Sequence, residues 1–261
     1  MTDNRSWRGV TTMAIYGRRT VLEALNAAAE GHLRVQEVRV SRETPKPFRQ
    51  DLRSACRALG VEAIECGRRE VAELSRDQRH DQGAAALVDL AHVTDAEAFA
   101  AELHGRRAAR PTHLIALDGV TNPQNVGMIV RSALGAGMTG ALWPLEGAPW
   151  ISGLVIKASA SVVLRTPIAT CETLVDGLRD LRGKGFHAFG LAGDGGDDVF
   201  THEPPHRCVY VVGSETEGLS EPVRNELDGL LSIPMSNGVE SLNAAVASGV
   251  LAYAVAQRSG G

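Results

Sequence analysis

Three polar turns hold the residues that could do chemistry. Asn122, Asn125 and Arg131 follow an apolar run at 113–117, Gly213, Glu215 and Gly218 follow another at 209–212, and Gly238, Ser241 and Asn243 follow a third at 230–233. In α/β proteins ligands bind beyond the carboxyl ends of strands, so three such turns in one half of a chain point to one composite site. Amide side chains both donate and accept, while arginine supplies a fixed, planar cation. Glycines let a ligand approach backbone closely. A helix start after Ser241 would leave N–H groups facing an anion or a ribose. This donor set suits a sugar-phosphate bound beside an adenosine-like cofactor, and it contains no strong base or nucleophile for hydrolysis.

The local patterns fix some of these residues and leave others open. Asn122-Pro123 reads as N-cap and first helical residue, and Ser241 reads as the cap of the last helix. Asn125 and Arg131, six residues apart, lie about 120° from one another on an ideal helix. They converge only if Asn125 sits in the turn before the helix or if other elements close on both. Otherwise Asn125 is a turn residue and Arg131 a solvated charge. Gly213 and Gly218 bracket two carboxylates, Glu215 and Glu217, in the second turn.

The elements that must position these turns alternate. Strands are expected at 113–117, 140–143, 186–190, 209–212 and 230–233, with helices at 123–135, 151–160, 172–182, 221–227 and 241–257. Such alternation predicts a mainly parallel sheet covered on both faces. Before it, a smaller α/β unit spans 14–90: a helix with Val21, Leu22, Leu25 and Ala28 on one face, strands at 35–40, 61–65 and 83–90, and a helix over 47–59. Residues 1–13 read as a polar arm. Residues 91–111 read as a linker ending in the basic run Gly105 to Pro111, after a short helix in DAEAFAAEL, and 112–261 form the larger domain.

Composition narrows the classes. The chain has 261 residues, 44% hydrophobic and 22% charged, as in ordinary globular proteins. No apolar run reaches the roughly 18 residues of a membrane span, and the first residues lack a secretory signal's apolar core. Four scattered cysteines without a C-x-x-C pair fit reduced thiols in the cytoplasm. Residues 1–110 hold 18 Lys and Arg against 16 Asp and Glu, whereas 111–261 hold 9 against 15. Arginine dominates the first half, which is compatible with RNA, although a compositional bias is by itself the stronger explanation. No Walker loop, G-x-S-x-G or zinc-ligand spacing is present, and no G-x-G-x-x-G follows a strand. The run Gly193 to Asp198, GDGGDD, reads as a surface turn.

In order and spacing, the segments NPQNVGMIVRSA (122–133), VGSETEGLS (212–220) and SIPMSNGVESLNAAVA (232–247) resemble the SpoU, or TrmH-like, branch of the SPOUT RNA 2′-O-ribose methyltransferases. The resemblance covers 112–258. Less specifically, Gly17, Val21, Glu23, Ala24 and Leu25 match the opening of that family's small substrate-binding domain. The resemblance implies an α/β fold: a small N-terminal RNA-binding domain, then a SPOUT domain with a C-terminal deep trefoil knot. It also implies S-adenosylmethionine held by backbone at Gly213, Ile233 and Leu242, and functional side chains at Asn125, Arg131, Glu215, Ser241 and Asn243. Homodimers are typical, no metal is needed, and Tyr16, Arg18 and Arg19 are candidate RNA contacts by position and chemistry. Ribosomal RNA, 23S in particular, is the preferred substrate and transfer RNA the second. An antibiotic-resistance rRNA methyltransferase and a knotted RNA-binding protein without catalysis are the alternatives.

Overall fold

The computed structural model describes residues 12–103 and 111–259, so the N-terminal arm up to residue 11 and the basic run at 104–110 lie outside the described residues. The chain forms two compact units, one running through His92 with Ser152–Lys157 added, the other made of Val93–Ile151 and the residues from Ala158 onward.

The first unit is a four-stranded sheet of β1 (Thr12–Tyr16), β2 (Leu33–Ser41), β3 (Ala63–Cys66) and β4 (Ala84–Leu90), in the order β1-β4-β2-β3. β4 pairs antiparallel with β1 and β2, while β2 and β3 run parallel. Helices α1 (Arg18–Ala29), α2 (Lys46–Ala58) and α3 (Arg68–Ser75) follow β1, β2 and β3. All three therefore start at the same end of the sheet. α1 buries Val21, Ala24, Leu25 and Ala27, a face turned slightly from the expected one, leaving Leu22 and Ala28 half-buried. β1 and α3 have no counterpart in the sequence reading. β1 takes up part of the expected arm, and α3 (RREVAELS) is too short and polar to show a clear apolar stripe.

The second unit begins inside the expected linker, with β5 (Val93–Asp95) and α4 (Ala96–Leu103). It continues with β6 (Thr112–Asp118), α5 (Pro123–Gly135), β7 (Gly140–Pro144), α6 (Gly153–Ala158, most of it in the first unit), a 3-10 turn at Val162–Arg165, β8 (Ile168–Cys171) and α7 (Leu174–Arg182). Then come β9 (His187–Leu191), β10 (Asp197–Asp198), β11 (Arg207–Gly213), α8 (Glu221–Arg224), β12 (Gly229–Ser232) and α9 (Ala244–Ser259). The eight strands lie in the order β10-β12-β9-β11-β6-β7-β8-β5, and every pairing is parallel. The parallel sheet expected from the alternation is thus found.

A parallel sheet covered on both faces needs strands that are apolar throughout. Residues 112–117 of β6 and 208–213 of β11 are all buried. Leu114, Ala116, Leu142, Val209 and Val211 pack under Leu174, Leu178 and Leu181 of α7, each large side chain contributing roughly 1.5–3 kcal/mol of burial. Trp143 is fully buried, with its ring edge against Trp150. From β6 the chain builds outward to β7 and β8, then crosses back to β9 and β11 on the other side. The reversal opens a crevice at the carboxyl ends of β6 and β11, where the polar turns emerge.

Candidate active site

Asn122 caps α5 as its sequence suggests, its side-chain oxygen accepting from Gln124 N–H at 2.9 Å with Pro123 as the first helical residue. This start sets the turn that follows. Val126, Ile129, Val130 and Ala133 face the core, and Asn125 is carried inward with them, 5% exposed. A buried amide must be hydrogen-bonded. Asn125 Nδ2 donates to Glu215 Oε1, and so does Asn243 Nδ2, whose amide lies 3.5 Å from Asn125 Oδ1. Residues from all three turns therefore meet at one carboxylate, across sequence separations of 90 and 28.

Ser241 is not the cap of the last helix. α9 starts at Ala244, and Asn243 Oδ1 accepts from the N–H groups of Ala245 (2.9 Å) and Val246 (3.4 Å). Asn243 thus uses its oxygen to start the helix and its nitrogen to hold Glu215. Ser241 stands exposed two residues earlier, lining a cavity.

That cavity, about 180 Å3, lies over the carboxyl ends of β9, β11 and β12. Gly213, Ile233 and Leu242 line it together, with Glu215, Glu240 and Ser241 at its polar side. Gly213 is required by a backbone approach: a Cβ there would lie 2.3 Å from the carbonyl carbon of Gly218. Ser214 and Gly218 exchange two backbone hydrogen bonds (3.1 and 3.0 Å), with Gly218 at φ +65°, so the turn folds back on the strand end. The sequence reading missed two features. Asp118 Oδ2 accepts from Ser220 N–H at 2.6 Å and ties the turn after β6 to the turn after β11. Residues 191–193 form a whole wall of the cavity, and the glycine-rich run after β9 was the available signal for it.

Arg131 does not join the carboxylate. It is exposed on α5, has no hydrogen bond or ion pair among the described residues, and lines a separate groove between α5 and α9 with Met128, Asn243, Val246 and Tyr253. The roughly 120° offset of Asn125 and Arg131 on an ideal helix is realised, and Asn243 borders both places.

In the first unit, Tyr16 is half-buried. Burial, followed by its hydrogen bond to Asp77, pushes its phenol pKa up. Its ring also fills the space where a Cβ at Gly153 would come within 3.2 Å. Arg18 is half-exposed, with its N–H donating to Gln82 Oε1 at 3.2 Å, and Arg19 is exposed. Among the described residues no group of three His, Cys, Asp or Glu could hold a metal ion, and no helix is long and apolar enough to cross a membrane.

Fold and site together define a parallel-sheet α/β protein with a cavity over its strand ends and an amide-held carboxylate beside it. Residues 112–253 match the model of the SpoU rRNA methylase family, and residues 14–93 match that of the RNA 2′-O ribose methyltransferase substrate-binding domain. The chain belongs to the SpoU rRNA methylase family. It is 32% identical over 229 residues to the 23S rRNA (guanosine-2′-O-)-methyltransferase RlmB of Xanthomonas axonopodis pv. citri, covering 87% of this chain and 90% of that one. It is also 32% identical over 250 residues to a tRNA/rRNA methyltransferase of Mycolicibacterium vanbaalenii named as uncharacterized, covering 95% and 77%. Among solved structures, a TrmH-family protein from Porphyromonas gingivalis superposes with a TM-score of 0.71 at 25% identity, covering 95% of this chain and 91% of that one. The SpoU methyltransferase AviRb from Streptomyces viridochromogenes, solved with AdoMet, superposes at 0.74 with 23% identity, covering 95% and 90%, a likeness of fold.

Proposed function

We propose that this protein transfers a methyl group from S-adenosylmethionine to a ribose 2′-oxygen of structured RNA, with 23S ribosomal RNA as its substrate. The convergence of Asn125, Glu215 and Asn243 beside the cavity of Gly213, Ile233 and Leu242 carries this reading. The RlmB relatives favour ribosomal RNA, and the tRNA/rRNA name of other relatives makes transfer RNA the second choice.

The cavity fits an adenosine-like group: apolar side chains of Leu191, Ile233 and Leu242 for a base, and closely packed glycine backbone for polar edges. Bound there, the cofactor supplies a methyl group on a sulfonium centre, open to direct displacement by an oxygen nucleophile. The protein's task is in-line positioning, which can supply much of the acceleration. Arg131 cannot act as the base, because a guanidinium stays protonated. It clamps the ribose and its neighbouring phosphate, and that phosphate or water accepts the proton. Asn125 and Asn243 hold Glu215 as the brace of the site, and Ser241 faces the cavity from its rim.

The reading extends to three further features. The exposed apolar residues Met128, Val246 and Tyr253 line the groove beside Arg131, and we assign this face to a second copy of the chain, making a homodimer. The C-terminal segment after β12 forms a trefoil knot around the cofactor loop. The domain of residues 14–90 holds RNA at the sheet end where its helices start. Arg18, Arg19, Arg42, Lys46, Arg68 and Arg69 follow the strands at that end, with Arg68 paired to Asp81 at 3.7 Å and Arg69 to Glu73 at 3.5 Å, while Asp77 and Glu70 are turned to the backbone N–H groups of His80 and Gly67. Tyr16, half-buried beside Asp77, stands at this end as a further candidate contact. Four free, buried thiols accord with a cytoplasmic enzyme.

Radiolabelled methyl transfer to unmodified ribosomal RNA, followed by nucleoside analysis, tests the assignment. The wild type should give a 2′-O-methyl product. Arg131→Ala should lose at least about 100-fold of the rate while still binding cofactor. A methylated base, or no transfer with no cofactor binding, would overturn it.

A further inference from the structure

The run 193–198 is more than a surface turn. Residues 192 and 193 line the cavity, and their backbone is pinned from below: Ala192 N–H donates to Leu231 O at 2.9 Å, and a Cβ at Gly195 would lie 2.5 Å from the Leu231 carbonyl carbon. β10 then continues the sheet beside β12. From the other side the loop is held by one cation. Arg224, the last residue of α8, makes a two-pronged bond to Asp194, Nη1 to Oδ2 at 3.1 Å and Nη2 to Oδ1 at 3.0 Å. Its Nε donates to Leu219 O at 3.4 Å. Leu219 follows Gly218, which lines the opposite wall of the cavity. One guanidinium therefore spans the two loops that rise from neighbouring strands β9 and β11.

We propose that Asp194 and Arg224 are positioning residues for the cofactor: without touching it, they lock the loop after β9 against the loop after β11 and set the width of the cavity between them. This rests on the assignment of the cavity to S-adenosylmethionine. The side chains are 67% and 33% exposed, and exposed ion pairs add little net stability. A paired fork fixes distance and direction more than it stabilises the fold, and its place between two cavity walls gives that fixing a use. A solvated latch is also screened by salt, so cofactor affinity should weaken as ionic strength rises, even without RNA.

The test is a double-mutant cycle on the full chain with Asp194→Ala, Arg224→Ala and the pair, reading S-adenosylmethionine binding by calorimetry at low and high salt and methyl-transfer kinetics alongside. Each single change should weaken cofactor binding about 5- to 20-fold, with the loss in KM for the cofactor and not in kcat. The double variant should be no worse than either single one, and salt should no longer weaken binding. Melting temperatures near that of the wild type show that the fold is kept, and Arg224→Lys should recover part of the loss. Additive losses, or unchanged binding in folded variants beside a wild type that binds, would overturn the latch alone. A wild type that binds no cofactor would overturn both the latch and the cofactor assignment beneath it.

Discussion

Asn243 joins the start of a helix to the Glu215 carboxylate through one amide. Its oxygen satisfies two N–H groups at the start of α9, and its nitrogen donates to Glu215. The two jobs can be separated. Asn243→Ala removes both and should cost about 1 kcal/mol of stability through the lost cap. Asn243→Ser keeps a capping oxygen but removes the amide N–H groups that hold Glu215, so it should retain most of the stability and lose methyl transfer. Ser241→Ala should leave the denaturant midpoint where it was. A midpoint that falls for Ser241→Ala and not for Asn243→Ala would return the cap to Ser241. The sequence reading put the cap at Ser241, and Ser and Asn are both good capping types, so residue type alone does not separate Ser241 from Asn243 two positions on. Asn243 is held in place by Glu215, 28 residues earlier, and local pattern carries no such information. Asn122 was readable because its partner, Gln124, is only two residues away.

Elements were legible where burial is continuous. β6, β7 and β11 sit deep in the parallel sheet and read as unbroken apolar runs. β5 (VTD), β8 (IATC) and β10 (DD) are short strands whose pairing depends on neighbours distant in sequence, and they leave no apolar signal of their own. Deep burial also has a consequence for pH. His113 on β6 is 6% exposed, its Nε2–H donates to Pro205 O at 3.0 Å, and its ring meets the edge of Tyr210. Burial pulls its pKa below the ordinary value near 6.5, with nearby His206 adding to the shift and the bond to Pro205 opposing it. The unfolded chain therefore takes up this proton at a higher pH than the folded chain does. Stability is full above about pH 6.5 and falls as the pH drops below that value towards the folded pKa. His202, which hydrogen-bonds Tyr210 at 3.2 Å, is shifted down as well, again chiefly by burial, and adds to the same trend. Urea unfolding between pH 5 and 8 should show this slope, and His113→Gln should flatten it. An equal slope in the variant would assign the loss to other groups.

At the scale of the whole molecule, the groove between α5 and α9 decides whether one chain suffices. Met128 is 40% exposed, Val246 54% and Tyr253 60%, and all three flank Arg131 on one face. Exposed apolar side chains beside an unpaired Arg131 are left in water in a monomer, whereas a second copy would bury them and exclude water from the guanidinium. The cofactor cavity uses other faces of the same segment, Leu242, Ala244 and Ala247, so association and cofactor binding can be tested apart. Val246→Asp places a charge in the groove without touching the cavity. The wild type should sediment as a dimer at micromolar concentration, and the variant should dissociate at least about tenfold more readily, since burying an unpaired carboxylate costs more than the 1.4 kcal/mol that a factor of ten represents. Cofactor binding should persist in the variant while methyl transfer falls with the dimer fraction, because the Arg131 face is then left in bulk water. A wild type that stays monomeric at high concentration would remove the second copy from the mechanism. Arg131 would then have to meet the ribose unaided, and RNA itself would become the partner that covers the groove.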